Sequence, residues 1–412
     1  MTMIKRANWL VASETKTVIA ALDAARPGAS RFVGGCVRNT LIGQPVDDID
    51  IATQLLPDAV IAAAKAAGLA AVPTGIEHGT ITVICNHRPY EVTTLRRDVT
   101  TDGRRATVAF TEDWNEDAQR RDFRLNALYA DADGTVHDLT GGGVEDAKAG
   151  RIIFIGDAET RLREDYLRIL RFFRFSAWYG SGALDARGLA ACAALKDGLK
   201  TLSAERVWKE LKKLCAAPDP APALKAMGQN GILALAAPQA TDLPRALRVI
   251  AIDDEYLLPP EGLLRIAALL GDEAGARAFA RDMKASNDER GRLVAALGKS
   301  PRIVSYMSMR EVRRGLYLLG AQTFVDRARL AWAEDTGARA GPQWRALLAL
   351  AGGWVRPHLD LTGDEVVAAG VPPGPKVGAV MREVEAWWID ADFPDDKLSI
   401  VERLKAVAQG MG

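Results

Sequence analysis

Arg31-Phe32-Val33-Gly34-Gly35-Cys36-Val37-Arg38-Asn39-Thr40-Leu41-Ile42-Gly43 runs from an apolar strand end into two glycines and then a helical pattern, and Asp47-Asp48-Ile49-Asp50-Ile51-Ala52-Thr53 follows it. Glycine lets a ligand approach the backbone, and the N-terminus of the next helix offers unpaired N–H groups to an anion. Arg38, one turn in, can grip a phosphate through two parallel N–H donors. A Gly-Gly pair alone usually marks a turn, and this one fits neither G-x-G-x-x-G nor the P-loop pattern. The acidic run adds more. Side chains alternate along a strand, so Asp48 and Asp50 are expected on one face, a few ångströms apart. Two carboxylates held together call for a cation, and Mg²⁺ takes one or two carboxylates along with phosphate oxygens and water. A solvated turn is the ordinary source of D-x-D. Here the flanking Ile49 and Ile51 favour a strand with one apolar face, so Asp48 and Asp50 are read as metal ligands.

Outward from this stretch, residues 31 to about 139 carry short β-branched runs. Thr80–Cys85 and Tyr90–Leu95 are separated by Asn86-His87-Arg88-Pro89, a hairpin signal. Helices are expected over Thr15–Ala25 and Ala59–Ala67. After Gly141-Gly142-Gly143 the pattern turns helical and stays so, with Leu247–Leu258 and Val312–Leu319 as examples and breaks at Pro218–Pro222, Pro259-Pro260 and Pro372–Pro375. This is an α+β chain: a head over residues 1–140, then all-α segments 141–217, 218–300 and 301–412. The 412 residues hold 53 Lys+Arg and 53 Asp+Glu, a balance that excludes a protein coating DNA by bulk charge. No apolar run is long enough to span a bilayer. The N-terminus lacks the apolar core of a secretion signal, and the four cysteines stand far apart, so the expected location is cytoplasmic, with no membrane or DNA partner.

Two further segments carry polar groups suited to a nucleotide. Arg121, Asp122 and Asn126 offer a guanidinium, an acceptor and an amide for triphosphate and ribose hydroxyls, although a solvated helix start reads the same way. Arg163 to Phe175 reads as one helix on which Asp165, Arg168, Arg171 and Arg174 recur every three residues and wind around roughly half its circumference. An i,i+3 surface pair with solvated arginines is the plainer account. The functional one is specific. Cytosine and adenine present an amino donor beside a ring acceptor, whereas uracil and guanine present the reverse. Asp165 and Arg168 can therefore select C and A without a template, with Arg171 and Arg174 farther along, toward the triphosphate. Glu91, in a β-branched run, supplies a third carboxylate that could orient the attacking hydroxyl; an exposed edge-strand acid is an equal reading.

These segments, with Glu205-Arg206-Val207-Trp208-Lys209-Glu210-Leu211, resemble in order the class II tRNA nucleotidyltransferase family of CCA-adding enzymes and bacterial poly(A) polymerases. The resemblance runs from Phe32 to about Leu211. It implies a nucleotidyltransferase head with a mixed five-stranded sheet, followed by helical neck, body and RNA-binding tail. By that likeness Asp48 and Asp50 bind Mg²⁺, Gly35, Arg38 and Arg121 hold the nucleotide, Asp165 and Arg168 read the base, and Arg171 and Arg174 contact the nucleotide. The activity implied is template-independent addition of CMP and AMP from CTP and ATP to the tRNA 3′ end, with pyrophosphate leaving. Poly(A) addition, partial CC or A addition, and a noncatalytic RNA-binding scaffold are the alternatives. Arg96–Asp117, including Asp102-Gly103-Arg104-Arg105, looks like the family's mobile loop. Basic faces near Arg206, Lys209, Lys212 and Lys213 are candidates for holding tRNA, with a solvated helix face an equal reading. Leu361–Gly378 looks like a tail segment of some relatives, where a helix-to-helix connector is the plainer account. Asn39 departs from the family, which usually has Asp there. The four histidines are assigned no role, and oligomeric state is not legible.

Overall fold

The structure, a computed structural model, describes residues 2–4, 7–102, 105–335, 337 and 340–410, with only the backbone for those described within 98–108. The chain divides into two compact units, residues 1–238 and 239–412.

Among the described residues the first unit is built on nine strands: β1 (Ser30–Val33), β2 (Asp50–Thr53), β3 (Ala70–Gly75), β4 (Thr80–Cys85), β5 (Arg88–Thr94), β6 (Arg96–Asp102), β7 (Arg105–Phe110), β8 (Leu128–Ala130) and β9 (Val136–Asp138). Seven of them form one mixed sheet in the order β3-β4-β5-β2-β1-β8-β9. Only β2 and β5 run parallel, with Asp50 opposite Glu91; the other pairs are antiparallel. The sheet thus has seven strands rather than the five expected. The strands at its two edges, β3 and β9, are weak in sequence: β3 carries Pro73 and is mostly exposed, and β9 has three residues.

Alternation explains the strands' faces. Ile81, Val83 and Cys85 of β4 are buried and their neighbours half-buried. The β4–β5 hairpin turns through Asn86 and His87, both at positive φ (48° and 63°), the geometry of a two-residue turn that matches strand twist. Ser13–Ala25 and Pro57–Ala66 are helical, within two residues of the expected bounds at each end. Arg96–Asp117 differs from the expected loop: β6 and β7 pair as a separate two-stranded ribbon, followed by a helix over Trp114–Gln119 that Asp113 caps. Gly103 and Arg104 of that stretch lie outside the described residues.

Helices follow the head sheet. The segment read as one helix from Arg163 is broken: Ala158–Glu164 ends, Asp165 is extended, and Leu167–Tyr179 begins a second helix. Asp165 causes the break, because its Oδ1 accepts from the Leu167 N–H (3.0 Å) and its carbonyl from the Arg168 N–H. Phe123, Phe154, Phe172 and Phe175 cluster beneath the second helix, with ring centroids 4.9–6.4 Å apart. The helix Ala204–Cys215 packs beside it and buries Val207, Trp208, Leu211 and Leu214.

The second unit is built of helices joined by short connections, with one isolated bridge between Ala240 and Leu270 among its described residues, and it holds apolar clusters around Phe324, Trp332 and Trp344 and around Val380, Val384 and Trp388. Helices starting at Asn287, Met309 and Gly363 each carry a capping box. Leu361–Gly378 contains the short helix Gly363–Ala368, a turn and the start of the Pro375–Asp390 helix. No helix among the described residues is long and apolar enough to cross a membrane.

Candidate active site

A cleft of about 510 Å³ opens in the first unit, lined by Gly34, Gly35, Arg38, Asp50, Arg96, Arg120, Arg121, Asp122, Asn126, Asp165, Leu167, Arg168, Arg171, Phe175 and Arg206. Its floor follows from the sheet. β1 ends at Val33, Gly34 turns with φ 72°, and the helix Gly35–Leu41 starts at the cleft. A Cβ on Gly34 would need this positive-φ backbone, which L side chains rarely adopt, so glycine is the residue that fits.

Asp50 opens β2 and faces the cleft, while Ile49 and Ile51 on either side are buried. Asp48 differs from expectation in one respect. It lies ahead of β2, which begins at Asp50. Asp48 is exposed and does not line the cleft, and Glu91, paired with Asp50 across β2 and β5, is also exposed. Both still act on Asp50. Burial first, then the charges of Glu91 and Asp48, push the Asp50 carboxyl up to about 6, against the opposing pull of Arg121 and Arg38. Carboxylates that repel one another beside a cleft form a hard, oxygen-only donor set that fits a divalent ion completing its shell from phosphate and water. Among the described residues no group of three or more His, Cys, Asp or Glu is placed to hold a metal ion.

The walls are basic. Seven arginines face three aspartates, a formal excess of four positive charges. Most are held by acids that fix their direction. Asp117, buried and lying outside the cleft, accepts from Arg120 (2.8 Å), Arg121 (3.1 Å) and the Tyr129 hydroxyl (2.7 Å). Burial opposes its ionisation, yet Arg121 and Arg120 hold it down to about 2. Asp122 accepts from the Phe123 N–H, Asn126 Nδ2 and Arg171 (2.7 and 2.5 Å), so it acts on the cleft through Asn126 and Arg171. The segment from Arg120 to Tyr129 is a loop and one short turn leading into β8, not a helix start.

At the far end of the cleft Arg168 donates to Glu164 Oε2 (2.5 Å) and to the carbonyls of Arg161 (2.9 Å) and Arg120 (3.0 Å). Asp165 accepts from Arg206 (2.6 Å). Both line the cleft, but each is held by other partners and they do not bond to one another through their side chains. Arg174 stands behind the lining, bonded to Glu210 (2.5 Å), which lies 4.0 Å from Arg171.

Nine of the expected residues thus share the cleft: Gly35, Arg38, Asp50, Arg121, Asp122, Asn126, Asp165, Arg168 and Arg171. Reading the sequence missed Arg96, Arg120 and Phe175 as lining, and Asp117, Tyr179 and Glu210 as supports. The spacing of Asp117 three and four residues ahead of Arg120 and Arg121 was the available signal. Arg206 turns into the cleft, away from the basic face expected around it. Lys212 lies over the Trp208 ring at 5.0 Å, and Lys209 and Lys213 are exposed.

Residues 30–153 match the poly A polymerase head domain, and residues 183–243 match a domain described as a probable RNA and SrmB-binding site of polymerase A. A CCA-adding enzyme of Limosilactobacillus fermentum is 32% identical over 94% of this chain and 97% of its own length. The human mitochondrial CCA tRNA nucleotidyltransferase 1 is 45% identical over 45% of this chain, and the match spans only 43% of the human protein. Among solved structures, the Bacillus stearothermophilus CCA-adding enzyme in complex with CTP superposes with a TM-score of 0.79 at 30% identity, covering 97% of this chain and 98% of that one.

Proposed function

The chain belongs to the CCA-adding tRNA nucleotidyltransferase family, and from that premise we propose that it adds C and A from CTP and ATP to tRNA 3′ ends and releases pyrophosphate. The observation that carries this reading is the cleft itself: an acid at the end of a central strand beneath walls with four excess positive charges, the complement of a nucleoside triphosphate.

In this mechanism the triphosphate lies along the Gly35 helix N-terminus, where unpaired N–H groups and Arg38 receive it. Arg121, fixed by Asp117 and Tyr129, faces the same charge without having to reorganise as it develops. Asp48 and Asp50 would hold Mg²⁺, which when bound neutralises phosphate charge and activates the attacking 3′-hydroxyl. Glu91, opposite Asp50, would help orient that hydroxyl. The base would lie against Asp165 and Arg168, whose acceptor and donor suit the edges of cytosine and adenine. Arg171 stays on the triphosphate side, held by Asp122. Arg174 would then act at one remove, by fixing Glu210 beside Arg171. The four cysteines are free and buried, in keeping with work in a reducing cytosol.

The test is incorporation of labelled nucleotide into tRNA lacking its terminal trinucleotide. This reading expects two CMP and one AMP per tRNA. Long A tracts without CMP would turn the assignment to poly(A) addition, and no incorporation at all would turn it to a noncatalytic RNA-binding scaffold.

A further inference from the structure

Arg38 is held differently from its neighbours. Arg120 and Arg121 each bond to Asp117, Arg168 to Glu164, Arg171 to Asp122 and Arg206 to Asp165. Arg38 is 5% exposed, and the groups in hydrogen-bond contact with its guanidinium are amides: Nε and Nη2 donate to Asn39 Oδ1 (3.0 and 2.8 Å), and Nη1 donates to Asn126 Oδ1. The Tyr179 ring covers one face, with its centroid 3.9 Å from the guanidinium carbon. Burial draws the Arg38 pKa down, against the opposing pull of Tyr179 and of Asp122, whose carboxylate does not bond to the guanidinium itself.

Both amides are locked in the orientation that presents oxygen to Arg38. Asn39 Nδ2 donates to the Pro45 carbonyl (2.7 Å), and Asn126 Nδ2 donates to Asp122 Oδ1 (3.2 Å). A carboxylate at position 39 has no proton to give Pro45, so the local hydrogen bonding selects an amide. An amide dipole and an aromatic face hold a guanidinium in place without cancelling its charge, as a carboxylate would.

We propose that Asn39, Asn126 and Tyr179 form an uncharged cage that keeps the Arg38 cation available to the triphosphate, and that Asn39 is a positioning residue whose neutrality sets nucleotide affinity. This rests on the nucleotidyl-transfer reading of the cleft. Asn39, where the family usually has Asp, is then a tuning of the same site toward tighter nucleotide binding.

The experiment adds a carboxylate to the cage from two independent elements. Asn39→Asp does so from the Gly35–Leu41 helix, and Tyr179→Glu from the end of the Leu167–Tyr179 helix, with Tyr179→Gln as the uncharged control. CTP and ATP KM and kcat are measured on trimmed tRNA, and CTP and pyrophosphate binding are titrated directly without tRNA, after melting curves establish that each variant is folded. The expected result is a KM raised about tenfold for both nucleotides in Asn39→Asp, and a similar ratio of Tyr179→Glu over Tyr179→Gln, with kcat changed much less. Pyrophosphate and CTP affinities fall by the same factor. A merely structural role for Asn39 would lower the melting temperature and leave Tyr179→Glu equal to Tyr179→Gln. Direct affinities within twofold of wild type in the folded charged variants would overturn the proposal. Failure of the wild-type protein to incorporate any nucleotide would instead overturn the transferase reading, and the titrations would still test the cage.

Discussion

Replacing Asp50 by Asn is expected to stabilise the metal-free protein at neutral pH while abolishing transfer. The carboxyl is raised from an ordinary 3.8 to about 6, through burial and the nearby charges of Glu91 and Asp48. A raised carboxyl binds its proton more tightly in the folded chain than in the unfolded one. The fold is therefore favoured below about pH 4, and that advantage is lost as the pH rises through about 6. At pH 7.5 the ionised group costs about 3 kcal/mol, from roughly two pKa units at 1.36 kcal/mol each. For a unit of this size that corresponds to roughly 6–12 °C in Tm at 2–4 °C per kcal/mol. The assay is thermal unfolding by circular dichroism in EDTA at pH 7.5 and 4.5, wild type against Asp50→Asn. The variant should melt higher at pH 7.5, and most of the gap should close at pH 4.5. Added Mg²⁺ should raise the wild type alone. An Asp50→Asn protein that melts at or below wild type in EDTA at pH 7.5, or a gap independent of pH, would refute the reasoning.

Other expectations follow from the same geometry. Asp117→Asn leaves Arg120 and Arg121 without their buried anion and should cost about 3–5 kcal/mol at pH 7 by denaturant titration. Because the Asp117 carboxyl is held down to about 2, the stability it contributes is present above pH 4 and fades as the pH falls through 2, so the wild-type advantage should persist at pH 4. Arg168→Ala should relax base choice, raising UTP and GTP incorporation relative to CTP and ATP by roughly tenfold to a hundredfold, the worth of one lost hydrogen bond from a charged donor at about 1.5–3 kcal/mol. At limiting Mg²⁺, kcat/KM should fall as the pH drops through about 6, and saturating Mg²⁺ should move that limb lower by competing with the proton on Asp50.

How far the residues disclosed the structure depended on the range of the interactions. The β4–β5 hairpin was legible because Asn86-His87 is a local turn between β-branched runs, and the Gly34-Gly35 turn was legible because only glycine suits its backbone. The pairing of Arg171 with Asp122 and of Arg174 with Glu210 was not, since those partners lie 49 and 36 residues apart and no spacing rule connects them. The break at Asp165 was hidden by a helical pattern that continues on both sides of it. The ribbon formed by β6 and β7 was hidden by its charge, because strands outside the main sheet need no apolar face. Edge strands β3 and β9 escaped for another reason: β3 carries Pro73 and is mostly exposed, and β9 has three residues, too few for a pattern.

In the proposed mechanism Asp48 and Asp50 hold a divalent ion beneath the bound triphosphate. Mn²⁺ binding followed by electron paramagnetic resonance, with a nonhydrolysable CTP analogue present, tests it most directly. The wild type should bind Mn²⁺ tightly, Asp50→Asn and Asp48→Asn should lose it, and both variants should keep their CTP affinity without metal. Undiminished Mn²⁺ binding in the double variant would contradict it.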